Sequence, residues 1–232
     1  MFKKIAAVVA AVLVGAGAGV AVKATTSDAE SPATFTAGAR PTGPDSDAPS
    51  IEELIAQLQV VDELPFVPEY DRAEFTTQWT RSETERPSCD ARYQVLRDQL
   101  VNVEKTVTPE SCAVTRGTLH DPYTGQTLEY QPGTGTIEVD HVVPLLIAWR
   151  SGAADWTPER RAEFANDTEW NLLATAREAN QAKSAATLGE WLPPNVAFQC
   201  EYAHNYLTVA AHYNLQVTGR DIDTARTTCT QN

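Results

Sequence analysis

Basic residues are scarce in this 232-residue chain: 18 lysines and arginines stand against 31 aspartates and glutamates, a formal charge of minus 13. That balance argues against a protein that holds nucleic acid by bulk charge. No Cys-x-x-Cys and no His-Glu-x-x-His occurs, which removes the usual zinc-site spacing and the metallopeptidase helix. The sequence has no internal repeat. Apolar residues make up 42%, near the globular norm, so a wholly disordered or collagen-like chain is excluded.

The charge is unevenly spread. Residues 1–24 hold three lysines and no acid, residues 25–69 nine acids and one arginine, and residues 70–232 hold 22 acids and 14 bases. Half of the negative charge beyond the first segment therefore sits in a short N-terminal stretch, and the net value says little about any surface presented later. Met1 to Lys4 followed by the uncharged run Ile5 to Val22 has the basic start and apolar body of a secretory signal, which Gly19-Val20-Ala21 or Val22-Lys23-Ala24 could end. Its 18 residues also reach the lower limit for spanning a bilayer, so an uncleaved anchor through residues 5–22 is the alternative. No cysteine follows the run to accept a lipid. The chain is expected to be secreted, or anchored to the outer face of the cytoplasmic membrane.

Residues 25–49 are Ser, Thr, Ala, Pro, Gly and acids with one aromatic, Phe35, and read as a disordered acidic linker. Ser50 and Glu53 form a capping-box pattern ahead of Ile51, Leu54, Ile55 and Leu58, so the folded domain is expected over residues 50–232. Four cysteines in an exported chain point to two disulfides with three connectivities, of which the local pairing Cys89 with Cys112 and Cys200 with Cys229 is expected. Apolar spacing predicts a helix over Tyr93 to Val103. Short runs at Cys112 to Leu119, Thr127 to Tyr130 and Thr136 to His141, separated by Gly- and Pro-rich turns, predict one small antiparallel sheet. Thr157 and Pro158 predict a helix start, with further helices over Thr175 to Lys183 and Glu201 to His212. The class is α+β: a small antiparallel sheet with helices, stapled by disulfides.

One stretch carries chemistry. In Ile137-Glu138-Val139-Asp140-His141-Val142-Val143-Pro144-Leu145, Asp140 and His141 are neighbours on a strand, so their side chains diverge and cannot easily share one ion. They can instead flank one substrate atom, a metal on one side and a base on the other, a division of labour that suits phosphodiester hydrolysis. His141 titrates near neutrality as a base should, and Asp140 with the amide oxygen of Asn180 offers the hard oxygens that Mg²⁺ accepts. Arg177 and Lys183, each three residues from Asn180 on a helical face, could contact phosphate. Asn171 could cross-link a loop to the strand bearing His141.

That order, Asp-His on a hairpin, an Asn before an apolar pair, and a last Asn with Lys three beyond, resembles the His-Asn-His (HNH) endonuclease superfamily and its ββα-metal (His-Me finger) core. From about Leu64 to Cys229 the chain is similar to exported bacterial HNH endonuclease family proteins related to the C-terminal domain of GmrSD restriction endonucleases. The resemblance rests on Gly117-Thr118-Leu119-His120-Asp121-Pro122-Tyr123-Thr124-Gly125, Val139 to Leu145, Ser151-Gly152-Ala153, Asn171-Leu172-Leu173-Ala174, Asn180-Gln181-Ala182-Lys183 and Trp191-Leu192-Pro193-Pro194-Asn195. It implies a secreted, metal-dependent endonuclease acting on DNA, or RNA as well. His141 would be the general base and Asn171 the residue fixing the active-site loop. One divalent cation, Mg²⁺ with Mn²⁺ or Zn²⁺ as alternatives, would sit on Asp140 and Asn180. No protein partner is implied, and the chain is expected to act as a monomer.

The chain departs from the family pattern at Arg81 to Ser88, where an Asp/Gly/Asn-rich loop is usual, at Ala210 for a lysine, and at Ser184-Ala185 for Gly-Asp. These departures motivate a second reading, a catalytically inactive cell-surface module that binds nucleic acid without turnover. For an acidic domain to accept a polyanion, Arg177, Lys183 and neighbours such as Arg150, Arg160 and Arg161 are expected to gather on the motif's side.

Overall fold

A computed structural model describes residues 48–76, 78–80, 89–106 and 112–230. The expected leader, the linker up to residue 47 and the departing 81–88 loop lie outside the described residues. The chain divides into residues 1–35 and residues 36–232, and everything described belongs to the second unit.

Local signals start most helices. Helix α1 (Ile51–Ile55) opens on the expected capping box, with the Ser50 backbone N–H donating to Glu53 Oε2 at 2.7 Å. Strand β1 (Gln59–Val61) follows. Helix α2 (Ala91–Gln99) is capped by Asp90, which accepts from Tyr93 N at 2.9 Å. It ends earlier than expected. Leu100 is extended and Asn102 has φ 53°, so Val103 lies in strand β2 (Val101–Lys105) and not on the helix.

Strands β3 (Val114–His120) and β4 (Thr127–Tyr130) complete a three-stranded antiparallel sheet in the order β2-β3-β4. Strand β5 (Ile137–His141), expected in that sheet, leaves it instead. After a turn in which Gly133 and Gly135 take positive φ, it pairs antiparallel with strand β6 (Leu172–Ala176), Asp140 opposite Leu173 and His141 opposite Leu172. Between β5 and β6 come α3 (Leu145–Arg150) and α4 (Pro158–Ala165), the latter capped by Thr157 with Pro158 in its first turn as expected.

The helix expected from Thr175 begins two residues later, as α5 (Arg177–Lys183) directly after β6. Thr175 stays in the strand, fully buried, and donates to Asp121 Oδ1 at 2.7 Å. All five β6 residues are buried because the strand lies between two cores. Leu172 and Ala174 pack in one with Val95, Leu96 and Leu119, while Leu173 and Ala176 pack in the other with the α6 aromatics. Helix α6 (Gln199–Tyr213), strand β7 (Gln216–Thr218) and helix α7 (Gly219–Thr230) end the domain, β7 running parallel to β1. The disulfides are Cys89–Cys112, tying the start of α2 to β3, and Cys200–Cys229, tying α6 to α7.

Candidate functional site

Asp140 and His141 end β5, and their side chains leave opposite faces of the strand, each 6% exposed. Asp140 Oδ2 accepts two hydrogen bonds, from Tyr123 Oη at 2.7 Å and from Lys183 Nζ at 2.7 Å. Lys183 also donates to the His141 backbone carbonyl at 2.6 Å. Its side chain is fully buried, so it does not present a cation to solvent phosphate as its helical position suggested. Burial pushes the Lys183 ammonium below the usual lysine range, and the adjoining Asp140 carboxylate opposes that shift. Among the described residues, Asp140 Oδ1 has no hydrogen-bond donor.

Tyr123 is placed by the Asp121–Gly125 turn. Asp121 accepts from the backbone N–H of Tyr123 and of Thr124, at 3.3 and 3.1 Å, and Gly125 supplies the positive φ, 72°. The ring packs edge-on to Trp191 and Tyr202. Burial first, and then Asp140, holds the phenol well above its ordinary range, so it is a neutral donor.

His141 Nε2 lies 2.9 Å from the Ala165 carbonyl. A carbonyl only accepts, so Nε2 carries the proton, and the neutral ring keeps a lone pair on Nδ1. Trp79 stacks on the imidazole at 5.8 Å between centroids and 13° between planes. Burial depresses the pKa to about 3, against the Ala165 hydrogen bond and with added repulsion from Arg72 and Lys183. The ring is therefore neutral at physiological pH.

Asn171, with no exposed surface, supplies the cross-link expected of it. Its Oδ1 accepts from Val143 N at 3.0 Å, its Nδ2 donates to the Phe164 carbonyl at 3.3 Å, and its own carbonyl accepts from Val142 N at 2.8 Å. The exit of β5 and the end of α4, including the carbonyl that holds His141, are thereby tied to the start of β6.

Glu138 lies two residues before Asp140 and so on the same face of β5. It accepts from Asn180 Nδ2 at 2.8 Å and pairs with Arg177 Nε at 3.4 Å, which leaves the Asn180 amide oxygen as that side chain's open edge. Asn180, Asp140, His141 and Glu138 line one cleft of about 540 Å³, together with Arg72 and Arg92. Among the described residues no group of three or more His, Cys, Asp or Glu could hold a metal ion. The two open hard oxygens, Asp140 Oδ1 and Asn180 Oδ1, suit an ion that keeps most of its water, as Mg²⁺ does, and do not form a closed zinc site.

The other basic residues named from the sequence do not gather here. Arg150 donates to the Leu64 and Pro65 carbonyls, Arg161 is buried against Glu74, and Arg160 lies over the Trp156 and Tyr213 rings. Ala210 is in the core, so its departure from the family pattern leaves the cleft untouched; Ser184 and Ala185 do line it. Ser184 has φ 52°, ψ −129°, a conformation that favours the glycine usual there. Sequence reasoning missed Tyr123, Glu138, Arg72, Arg92 and Trp79. Three of them left a usable signal: Tyr123 in the Asp-Pro-Tyr-Thr-Gly turn, Glu138 as an acid two residues before Asp140, and Arg92 in the run Cys89-Asp90-Ala91-Arg92, which is part of the family resemblance.

A model of the family described as GmrSD restriction endonucleases, C-terminal domain, matches residues 90–221. An "Uncharacterized secreted protein" of Arthroderma benhamiae (strain ATCC MYA-4681 / CBS 112371) is 37% identical over 153 residues, covering 66% of this chain and 70% of that protein. The relative is fungal, where the sequence resemblance implied a bacterial group. No solved structure matches the chain significantly. Two disulfides and no free cysteine among the described residues suit the extracellular location that the relative's description also carries.

Proposed function

The chain belongs to the family of GmrSD restriction endonuclease C-terminal domains, and from that premise we propose that it is a secreted, metal-dependent endonuclease hydrolysing phosphodiester bonds of DNA, with RNA as an alternative substrate. The observation that carries this reading is the pairing, at one strand end in one cleft, of an imidazole with an open Nδ1 and a carboxylate with an open Oδ1. Strand β5, antiparallel β6 and the immediately following α5, with Asn171 before β6 and Asn180 on α5, have the order expected of a ββα-metal core.

His141 acts as general base. The Ala165 carbonyl holds the proton on Nε2, so Nδ1 accepts the proton of the attacking water. The negative charge of a bound phosphodiester opposes the repulsion from Arg72 and Lys183 and raises the basicity of the ring at the moment it is needed. Asn171 keeps the imidazole in place through the β5 exit and the end of α4. Tyr123 and Lys183 saturate Asp140 Oδ2, so the carboxylate cannot rotate and its other oxygen is the free acceptor.

Asp140 Oδ1 and Asn180 Oδ1 would hold one divalent cation, which when bound neutralises charge on the phosphoryl and leaving oxygens. The ammonium beside Asp140 weakens the site for cations, so millimolar rather than structural binding is expected. Nicking of supercoiled DNA by the purified protein with Mg²⁺, Mn²⁺ or Zn²⁺ tests the reading. Retention on DNA without any turnover would favour the inactive binding module instead.

A further inference from the structure

One wall of the cleft comes from the segment that precedes the matched residues 90–221. Residues 48–80 precede the matched region 90–221, yet Tyr70, Arg72 and Trp79 line the same cleft as His141 and Asp140. This segment is fastened at several points. Leu64 and Phe75 enter the core; Trp149 Nε1 donates to the Pro68 carbonyl at 3.3 Å; Arg150 holds the Leu64 and Pro65 carbonyls. Arg161 binds the Glu74 carbonyl at 2.9 Å and its carboxylate at 3.1 Å, and Thr80 N donates to Asn166 Oδ1 at 2.8 Å. Two cationic side chains of the matched region, Arg150 and Arg161, are thus committed to holding the strap.

The strap carries a cation of its own. Arg72 is exposed, lines the cleft, and makes no side-chain hydrogen bond or ion pair among the described residues. It stands in a cleft whose acidic groups are Glu138 and Asp140 and whose other arginine, Arg92, lies over the Tyr93 ring at 5.8 Å. Arg177 and Lys183, by contrast, are already paired with those same carboxylates. A guanidinium with free donors, held beside the base, matches a phosphodiester oxygen pair in geometry and charge. Trp79, farther along the strap, roofs the imidazole and keeps its plane fixed.

We propose that Arg72 is a phosphate-binding cation of this cleft, delivered from the segment before residue 90 by the strap that Trp149, Arg150 and Arg161 hold down. The inference rests on the reading of the cleft as a phosphodiester hydrolase, and it names the residue that lets an acidic domain accept its substrate. The test compares Arg72→Gln, Arg72→Lys and Arg116→Gln, the last an exposed arginine of the β2–β3 pair with the same charge change. Cleavage is measured in the full chain. Binding of a short oligonucleotide is measured over a salt series with each variant in a His141→Ala background.

Arg72→Gln is expected to lower kcat/KM by roughly 10- to 100-fold, as loss of a charge-assisted contact does. It should also reduce the slope of log Kd against log salt by about one. Arg72→Lys should restore the slope and part of the rate, and Arg116→Gln should change neither. Since the Arg72 side chain bonds no other part of the described fold, thermal unfolding should be unchanged. Equal behaviour of Arg72→Gln and Arg116→Gln in both assays overturns the proposal while leaving the nuclease reading intact. An Arg72-dependent salt slope without cleavage by any form overturns the nuclease reading and keeps the phosphate site. Absence of both binding and cleavage overturns both.

Discussion

Replacing Lys183 by methionine removes the cation from an ion pair whose side chains are 0% and 7% exposed and whose contact is 2.7 Å. Asp140 would keep only the Tyr123 hydroxyl, and the His141 carbonyl would lose its donor. An uncompensated buried carboxylate costs about 3–5 kcal/mol, a large part of the stability of a domain this size. Asp140→Asn alone leaves the ammonium buried and should cost a similar amount. Asp140→Asn combined with Lys183→Met removes both charges and should cost at most about 1–2 kcal/mol, so the two losses are far from additive. The carboxylate freed by Lys183→Met no longer has an ammonium competing with cations, so Mg²⁺ should stabilise that variant more than the wild type. Each tenfold gain in affinity adds about 1.4 kcal/mol at saturating ion. Urea unfolding of the four proteins, with and without Mg²⁺, reads all of this. A Lys183→Met loss below about 1 kcal/mol, or additive losses in the double variant, would refute the buried-pair account.

Three further outcomes follow from the site. His141 is neutral in the fold with a pKa of about 3 against an ordinary 6.5, so the folded state binds fewer protons between those values. The His141 contribution is then complete above pH 6.5 and is lost as pH falls toward 3, on the order of 4–5 kcal/mol, and the difference between wild type and His141→Ala in urea unfolding should shrink in acid. Asn171→Ala breaks the bonds to Val143 and Phe164 in a fully buried place and should cost about 1–3 kcal/mol as well as most activity, and Asn171→Asp, which keeps the acceptor for Val143 N but sets a carboxylate oxygen against the Phe164 carbonyl, should lose at least as much; unfolding and nicking assays together check both. Ser184→Gly relieves a φ of 52° and should raise stability by about 1 kcal/mol, read as a rise in the urea midpoint.

Features encoded within a few residues are legible in the sequence alone. The Ser50–Glu53 box, the Thr157–Pro158 helix start and the Asp121–Gly125 turn each depend on side chains hydrogen-bonding backbone nearby, and each forms where the pattern puts it. Charged partners are not legible, because they are joined by the fold. Lys183 and Asp140 are 43 residues apart, and Arg161 and Glu74 are 87 apart. In sequence the cations around the motif look like a solvated face, and only packing shows that Lys183 and Arg161 are buried. The same limit applies to strand pairing. The alternation in β5 marks a strand but not its partner, and β1 meets β7 across almost the whole domain. Arg72 is hidden in the sequence for a related reason: its role depends on a strap whose anchors are α3 and α4 side chains that look like nucleic-acid contacts.

The catalytic reading depends above all on His141 Nδ1 drawing the proton from a water that attacks phosphate in a cation-dependent site. Conversion of supercoiled plasmid to nicked and linear forms, measured across Mg²⁺, Mn²⁺ and Zn²⁺ with chelator and His141→Ala as controls, tests it most directly. Cleavage is expected to need a divalent ion and to fall by roughly 100-fold or more in His141→Ala, while Cys89–Cys112 and Cys200–Cys229 stay oxidised and the variant still unfolds cooperatively. Full activity in His141→Ala, or no cleavage with any of the three ions, would contradict it.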